Sequence, residues 1–298
     1  MKNFLIGQYG SFDYNKFQRD YRDAFYGIEA CLFMEETEIL NLINESKTHK
    51  FEIGIHFPLR GGRSSLRDAL FLCQDDDVRE NAFELIGQEL DDLVRVNPKY
   101  VLFHYPKPVI LDDRVDWSPW RFADRKEYVY ESQYSLDELK VKSEYLFQWL
   151  SVKSEEYGFI PVLEFDALNK YVYETDFLLQ LLDRYSMIKL CLDTGRLHFQ
   201  DKLDPFFDAR QVIRKYARYA EVIHLWNLQY TDKIEKYHFP VLPEQKTEDG
   251  WAPIEEYLTL IKEQNRNVKI QFEHRSDYVS DEDLERCYKW VDRILNQE

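Results

Sequence analysis

Eight times along this chain a short apolar run gives way to a longer segment whose apolar residues recur at helical spacing. The runs that read as strands are Asn3–Tyr9, Tyr26–Phe33, Phe51–Phe57, Tyr100–Tyr105, Ile160–Phe165, Ile188–Asp193, Glu221–Trp226 and Val268–His274. The segments that read as helices are Asp13–Arg22, Glu36–Asn44, Val78–Val96, Ser135–Glu156, Asp176–Arg184, Pro205–Tyr219, Pro253–Gln264 and Ser280–Asn296. Several carry start signals: Ser135 with Glu138 as a capping box, Pro205 and Pro253 near first turns, and Ser280 followed by acids. Strands that alternate with helices pair as parallel βαβ units. Eight such units in 298 residues predict a (β/α)8 TIM barrel, a single domain over 1–298. A doubly wound open sheet is the alternative. It usually opens with a glycine-rich fingerprint, and Gly7-Gln8-Tyr9-Gly10 does not match one.

Two strand-to-helix connections are too long to be simple turns, 58–74 and 106–134. The first contains Arg60, Arg63 and Arg67, and the second Trp117, Trp120, Phe122, Tyr128 and Tyr130. Both follow strands, which is the side on which barrels keep their active sites. An anion clamp is expected of the arginine segment and a substrate lid of the aromatic one. Surface decoration or an interface is the alternative.

Polar residues gather where the strands end. The third run ends in Ile55-His56-Phe57 and the fourth in Phe103-His104-Tyr105. The later four bring Glu164, Asp193, His224 and Glu273-His274. A buried imidazole or carboxylate needs a partner, because an unpaired buried charge costs several kcal/mol. Any one of these residues could be a satisfied core group. Six consecutive strands with the same habit point to one site. Two or three carboxylates with one to three imidazoles suit a borderline divalent cation, Mn, Zn, Co or Fe.

Composition narrows the partners. The net charge of −16 disfavours nucleic acid and anionic membranes at long range. No apolar run is long enough to span a membrane, and the amino terminus lacks a signal-like apolar region. The cysteines, Cys31, Cys73, Cys191 and Cys287, form no CxxC pair, so a zinc–thiolate site is not expected. A cytoplasmic, reduced protein is the expectation, and exposed aromatics leave room for a homodimer. His49 lies in a lysine-flanked turn and is assigned no role, and Asp75-Asp76-Asp77 reads as a helix start.

At this level of detail the chain resembles the xylose-isomerase-like TIM-barrel superfamily, which includes sugar-phosphate isomerases and epimerases and the apurinic endonuclease family. Leu192-Asp193-Thr194-Gly195, His224 and the strand that carries Glu273 are the most specific parts, and the likeness covers nearly the whole chain. The resemblance implies that Glu164, Asp193, His224 and Glu273 ligate one divalent metal. It also implies that Glu164 and Glu273 move protons. His56, His104, Arg196, His198, Lys236 and His238 are then expected to line the substrate pocket. Two departures stand out. Arg196 replaces the histidine that the epimerases place three residues after the strand-six acid. Lys236-Tyr237-His238 stands where the endonucleases carry Asp-x-His, while His56 and His104 match histidines of that branch's second metal. Arg196 and Lys236 could therefore hold an anionic group of the substrate.

The leading expectation is a metal-dependent sugar or sugar-phosphate isomerase or epimerase, acting by proton transfer next to a metal-polarised carbonyl. A small carbohydrate or sugar phosphate is its partner. One alternative is a metal-dependent phosphoesterase with two metals. Another is a non-catalytic binding protein on a barrel scaffold.

Overall fold

The computed structural model describes residues 1–64 and 66–296. Eight parallel strands close into a barrel with helices around it, as the alternation requires. In chain order these barrel strands are Phe4–Tyr9, Gly27–Cys31, Glu52–His56, Tyr100–Tyr105, Ile160–Phe165, Lys189–Asp193, Ala220–Leu225 and Lys269–Phe272. Neighbours in the sequence are neighbours in the barrel, and the eighth strand pairs with the first. The fourth and fifth agree with the sequence reading at both ends, and the others differ by one or two residues at an end. The chain divides into two compact units.

One unit comprises Gln8–Phe12 and Glu29–Lys189. Its third, fourth and fifth barrel strands lie in parallel register, with Gly54 beside Tyr100 and His104 beside Glu164. Gly54 is required there, because a Cβ would sit 2.2 Å from the Tyr100 ring. That ring is pinned by its hydroxyl, which donates to Glu29 at 2.7 Å. Asp75 caps the helix Asp76–Leu93 by accepting the Val78 N–H, so the acid run is a helix start. Ser135 caps Leu136–Tyr157 in the same way, and Gly158 ends it at φ 75°.

The 58–74 segment has no helix or strand among its described residues. Arg60 pairs with Glu36 and Arg63 with Asp92, while Glu89 accepts the Leu59 N–H at 2.7 Å. Two of its three arginines are thus held by surface carboxylates, and Arg67 turns to the barrel histidine His56. The 106–134 segment contains a parallel pair, Val109–Leu111 with Tyr128–Tyr130, too short to read from sequence. Trp117 and Trp120 are buried edge to face at 5.8 Å, and the Trp117 indole N–H donates to the Asp112 carbonyl. These indoles are packed rather than presented to solvent.

The other unit comprises Met1–Gly7, Asp13–Ile28 and the chain from Leu190 on. The helix Thr194–Leu203 begins directly on the sixth barrel strand. Asp193 makes this possible: its carboxylate accepts the Arg196 N–H at 2.9 Å and caps the helix from the strand's last position. The helix expected over 205–219 starts later, at Ala209, because Asp208 caps it; it runs to Tyr216 and tightens to a 3-10 turn over Ala217–Tyr219. An antiparallel ribbon, Asn227–Tyr230 with Ile234–Phe239, follows the seventh barrel strand and lies outside the eight strands that the sequence predicts. The eighth strand stops at Phe272, which leaves Glu273 and His274 just past its last residue. Ile254–Gln264 follows Pro253, and Asp281–Asn296 is capped by Ser280.

Cys31, Cys73, Cys191 and Cys287 are free thiols. Among the described residues no helix is long and apolar enough to cross a membrane.

Candidate active site

In the unit that holds the sixth, seventh and eighth barrel strands, parallel register sets Asp193 beside His224 and His224 beside Gln271. Glu273 follows two residues later. Asp193, His224 and Glu273 each offer a ligand atom, and these atoms lie within 4.8 Å of one another. His224 is fully buried, Asp193 is 1% exposed, and the His224 Nδ1 is 3.5 Å from a Glu273 carboxylate oxygen. Two carboxylates and an imidazole this close, with Asp193 and His224 out of water, call for a positive charge among them. Arg196 supplies part of it, with its Nε 3.4 Å from Asp193. The donor set itself, two carboxylates and one imidazole, suits a borderline divalent cation.

The surrounding residues hold this cluster in place. Thr194 donates its hydroxyl to the Trp226 carbonyl at 2.8 Å, which ties the new helix to the seventh strand. Gly195 lets the Trp226 ring approach so closely that a Cβ would sit 2.3 Å from it. His238 stacks on that ring and donates its Nδ1–H to the Glu273 carbonyl at 2.8 Å. Its φ is +48°, a left-handed conformation uncommon outside glycine and kept where the surroundings demand it.

Two expected pocket residues stand apart from this cluster. His198, in the middle of its helix, is buried and donates its Nε2–H to the Gly250 carbonyl at 3.1 Å. Burial pushes its pKa down to about 4. Lys236 is exposed on the ribbon, its ammonium 5.9 Å from the Phe239 ring. His274 is buried, and burial followed by the nearby Lys16 holds its imidazole well below the ordinary range.

The unit with the third, fourth and fifth barrel strands has its own cluster. His56, His104 and Glu164 are all buried, and both imidazole Nε2 atoms face the same Glu164 oxygen, at 3.2 and 3.1 Å. The rings meet edge on at 4.9 Å. The His56 Nδ1–H donates to the Phe57 carbonyl at 3.1 Å, and the Arg67 guanidinium donates to its Nε2 at 3.3 Å. Burial, with Arg67 adding to it, lowers the His56 pKa to about 4. His56 is therefore neutral near pH 7 and protonated at Nδ1.

Behind His104 lies a charged network. Its Nδ1 is 2.9 Å from Asp68, and the Lys107 ammonium is 2.8 Å from both Asp68 and Asp166. Burial alone would raise the Asp68 carboxyl, but His104 and Lys107 hold it well below the carboxylate range. Burial would likewise lower Lys107, and Asp166 and Asp68 override it. His104 is raised, because Asp68 and Glu164 outweigh its desolvation.

Sequence reasoning names His56, His104 and Glu164 but misses Asp68, Lys107 and Asp166. A weak signal exists: Lys107 stands between Pro106 and Pro108 directly after a barrel strand, and Asp68 follows Arg67 in the long arginine-bearing segment.

No protein-family model matches the chain, and no curated protein matches it. Solved structures do. A D-tagatose 3-epimerase-like protein is similar over 100% of this chain and 99% of its own, at 15% identity and a TM-score of 0.64. The IolI protein with a bound zinc atom is similar over 100% and 99%, at 13% identity and 0.65. D-psicose 3-epimerase from Clostridium cellulolyticum H10 is similar over 99% of both chains, at 14% identity and 0.59. The fold is the one shared by xylose-isomerase-like TIM barrels.

Proposed function

We propose that this chain, built on the fold of these epimerases, is a metal-dependent sugar isomerase or epimerase. The observation that carries the reading is the Asp193–His224–Glu273 cluster at the strand ends, with Asp193 and His224 buried and Glu273 half-buried. Those three residues would hold the cation; the superfamily resemblance in the sequence is what names Glu164 as a fourth ligand. Such a cation supplies Lewis-acid polarisation of a substrate carbonyl.

The chain's own groups then handle protons. Epimerisation needs one carboxylate to take the proton next to a carbonyl and a second to return one from the other face. Glu164 and Glu273 are assigned these tasks. A single carboxylate that returned the proton to the neighbouring carbon would give aldose–ketose isomerisation instead. His238 sets the Glu273 backbone, and His56 and His104 bracket Glu164. Arg196, a fixed cation beside Asp193, is a candidate contact for a phosphate or carboxylate of the substrate. His198, held by Gly250, and Lys236, on the exposed ribbon, stand outside that contact.

The test begins with metal content on protein purified without a metal-affinity tag. One transition metal per chain, followed by solvent deuterium entering a ketose in heavy water, supports the proposal. No metal after reconstitution and no exchange with any ketose would refute it.

A two-metal phosphoesterase is the second reading. It draws on His56, His104 and Glu164, whose ligand atoms also lie within 4.8 Å of one another. Arg67 counts against it, because a guanidinium 3.3 Å from the His56 Nε2 repels a second cation there. Two metals per chain would favour this reading.

A further inference from the structure

We propose that Asp68 and Lys107 are positioning residues that hold the His104 ring with its Nε2 turned to Glu164. The sugar isomerase reading supplies the reason this matters, since Glu164 is there a proton carrier; the geometry stands without it.

Asp68, His104 and Asp166 form a donor set of the kind that holds a metal, with ligand atoms within 4.8 Å of one another. A cation is already present. The Lys107 ammonium sits 2.8 Å from each of the two carboxylates. Lys107 is 2% exposed, Asp166 4%, His104 5% and Asp68 9%, so water screens none of these contacts well. Lys107 is thus the resident positive charge of this cluster.

Its effect passes to the site through Asp68. An ionised carboxylate only accepts hydrogen bonds, so the His104 Nδ1 at 2.9 Å must carry the hydrogen and donate it. That bond fixes the ring orientation and places a hydrogen on Nδ1, as an orienting carboxylate does for many functional histidines. The opposite nitrogen, Nε2, then lies 3.1 Å from Glu164. The register of the fourth and fifth barrel strands brings His104 and Glu164 side by side, but backbone pairing does not choose the ring's rotation. Asp68 does, and Lys107 holds Asp68 where it can.

The test reads the ring directly. The full chain is labelled with 15N-histidine, and long-range proton–nitrogen correlations are recorded for its seven histidines. The His104 signals are those that vanish in His104→Gln. In the unmutated protein they should show a protonated Nδ1. Asp68→Leu, which removes the acceptor, should change that signature and lower kcat on the ketose turned over by about 10–100-fold, with KM little changed. Lys107→Met should move the signature and kcat in the same direction. Asp68→Asn should recover part of kcat relative to Asp68→Leu, because the amide oxygen still accepts. If Asp68→Leu does not fold, Asp68→Asn decides: a neutral acceptor binds the Nδ1 proton more weakly, so its resonance must shift. An unchanged His104 signature in a folded variant overturns the assignment for that residue. Failure of all three variants to fold would make the network purely structural and overturn the proposal. If the unmutated protein turns over no ketose, the sugar reading fails, and the nitrogen signature still decides this one.

Discussion

His238 lies flat on Trp226, with ring centroids 4.1 Å apart and planes 13° from parallel. From that position it donates to the backbone carbonyl of Glu273. The residue after the ribbon strand's Tyr237 therefore sets the end of the eighth barrel strand, and it adopts a left-handed backbone to do so.

His238→Ala should loosen the Glu273 end of the cluster. Metal affinity is expected to fall about tenfold, the lower range for loss of a group that orients a ligand. Competition with a fluorescent chelator measures it. Unaltered affinity would show that the contact does not orient Glu273.

Gly195→Ala should be costly beyond its size. The added Cβ would meet the Trp226 ring at 2.3 Å, and that ring is backed by His238 and Tyr237. Overpacking of this kind costs about 1–3 kcal/mol. Urea denaturation should show the loss, and a variant of unchanged stability would mean that Trp226 shifts freely.

Glu273→Gln keeps the shape of the side chain and removes its charge and basicity. Turnover should drop by about two to four orders of magnitude, the range for a general acid or base. Metal binding should weaken while circular dichroism and the melting profile stay close to those of the unmutated chain. Full activity in this variant would remove Glu273 from the mechanism.

His198 should make stability depend on pH. Its folded pKa is about 4, below the ordinary 6.5, because it is buried. Between those values the unfolded chain binds a proton that the folded chain does not. The contribution is therefore fully present above the unfolded pKa and is lost as pH falls towards the folded one. It amounts to about 3 kcal/mol as an order of magnitude. His198→Gln should flatten that part of the stability curve, measured by denaturant titration across the window. A curve of the same slope would place the pH dependence elsewhere.

Part of the site is legible in the order of residues alone. Asp193, His224 and Glu273 stand out because polar residues at the ends of apolar strands break an otherwise simple pattern. Lys236 and His198 are less legible. Lys236 is an exposed ribbon residue, and His198 is engaged by the Gly250 carbonyl, because loop and helix neighbours cannot be read from residue spacing. Asp193 shows a different gap. Its position at a strand end is plain, but its second task, capping the helix that starts at Thr194, needs the backbone geometry.

Periodicity is a local property, and the eightfold strand–helix alternation with its strand-end acids and imidazoles follows from it directly. Parallel pairing and the barrel come with it, since short connections and one buried face leave few other solutions. Partner choice between distant side chains is not local. Asp68 and Lys107 are 39 residues apart by number, and nothing in either neighbourhood announces that one ammonium will neutralise Asp68 and Asp166 together. Burial decided it: inside a dry core each charge must find its opposite, and only the folded chain determines which one is within reach.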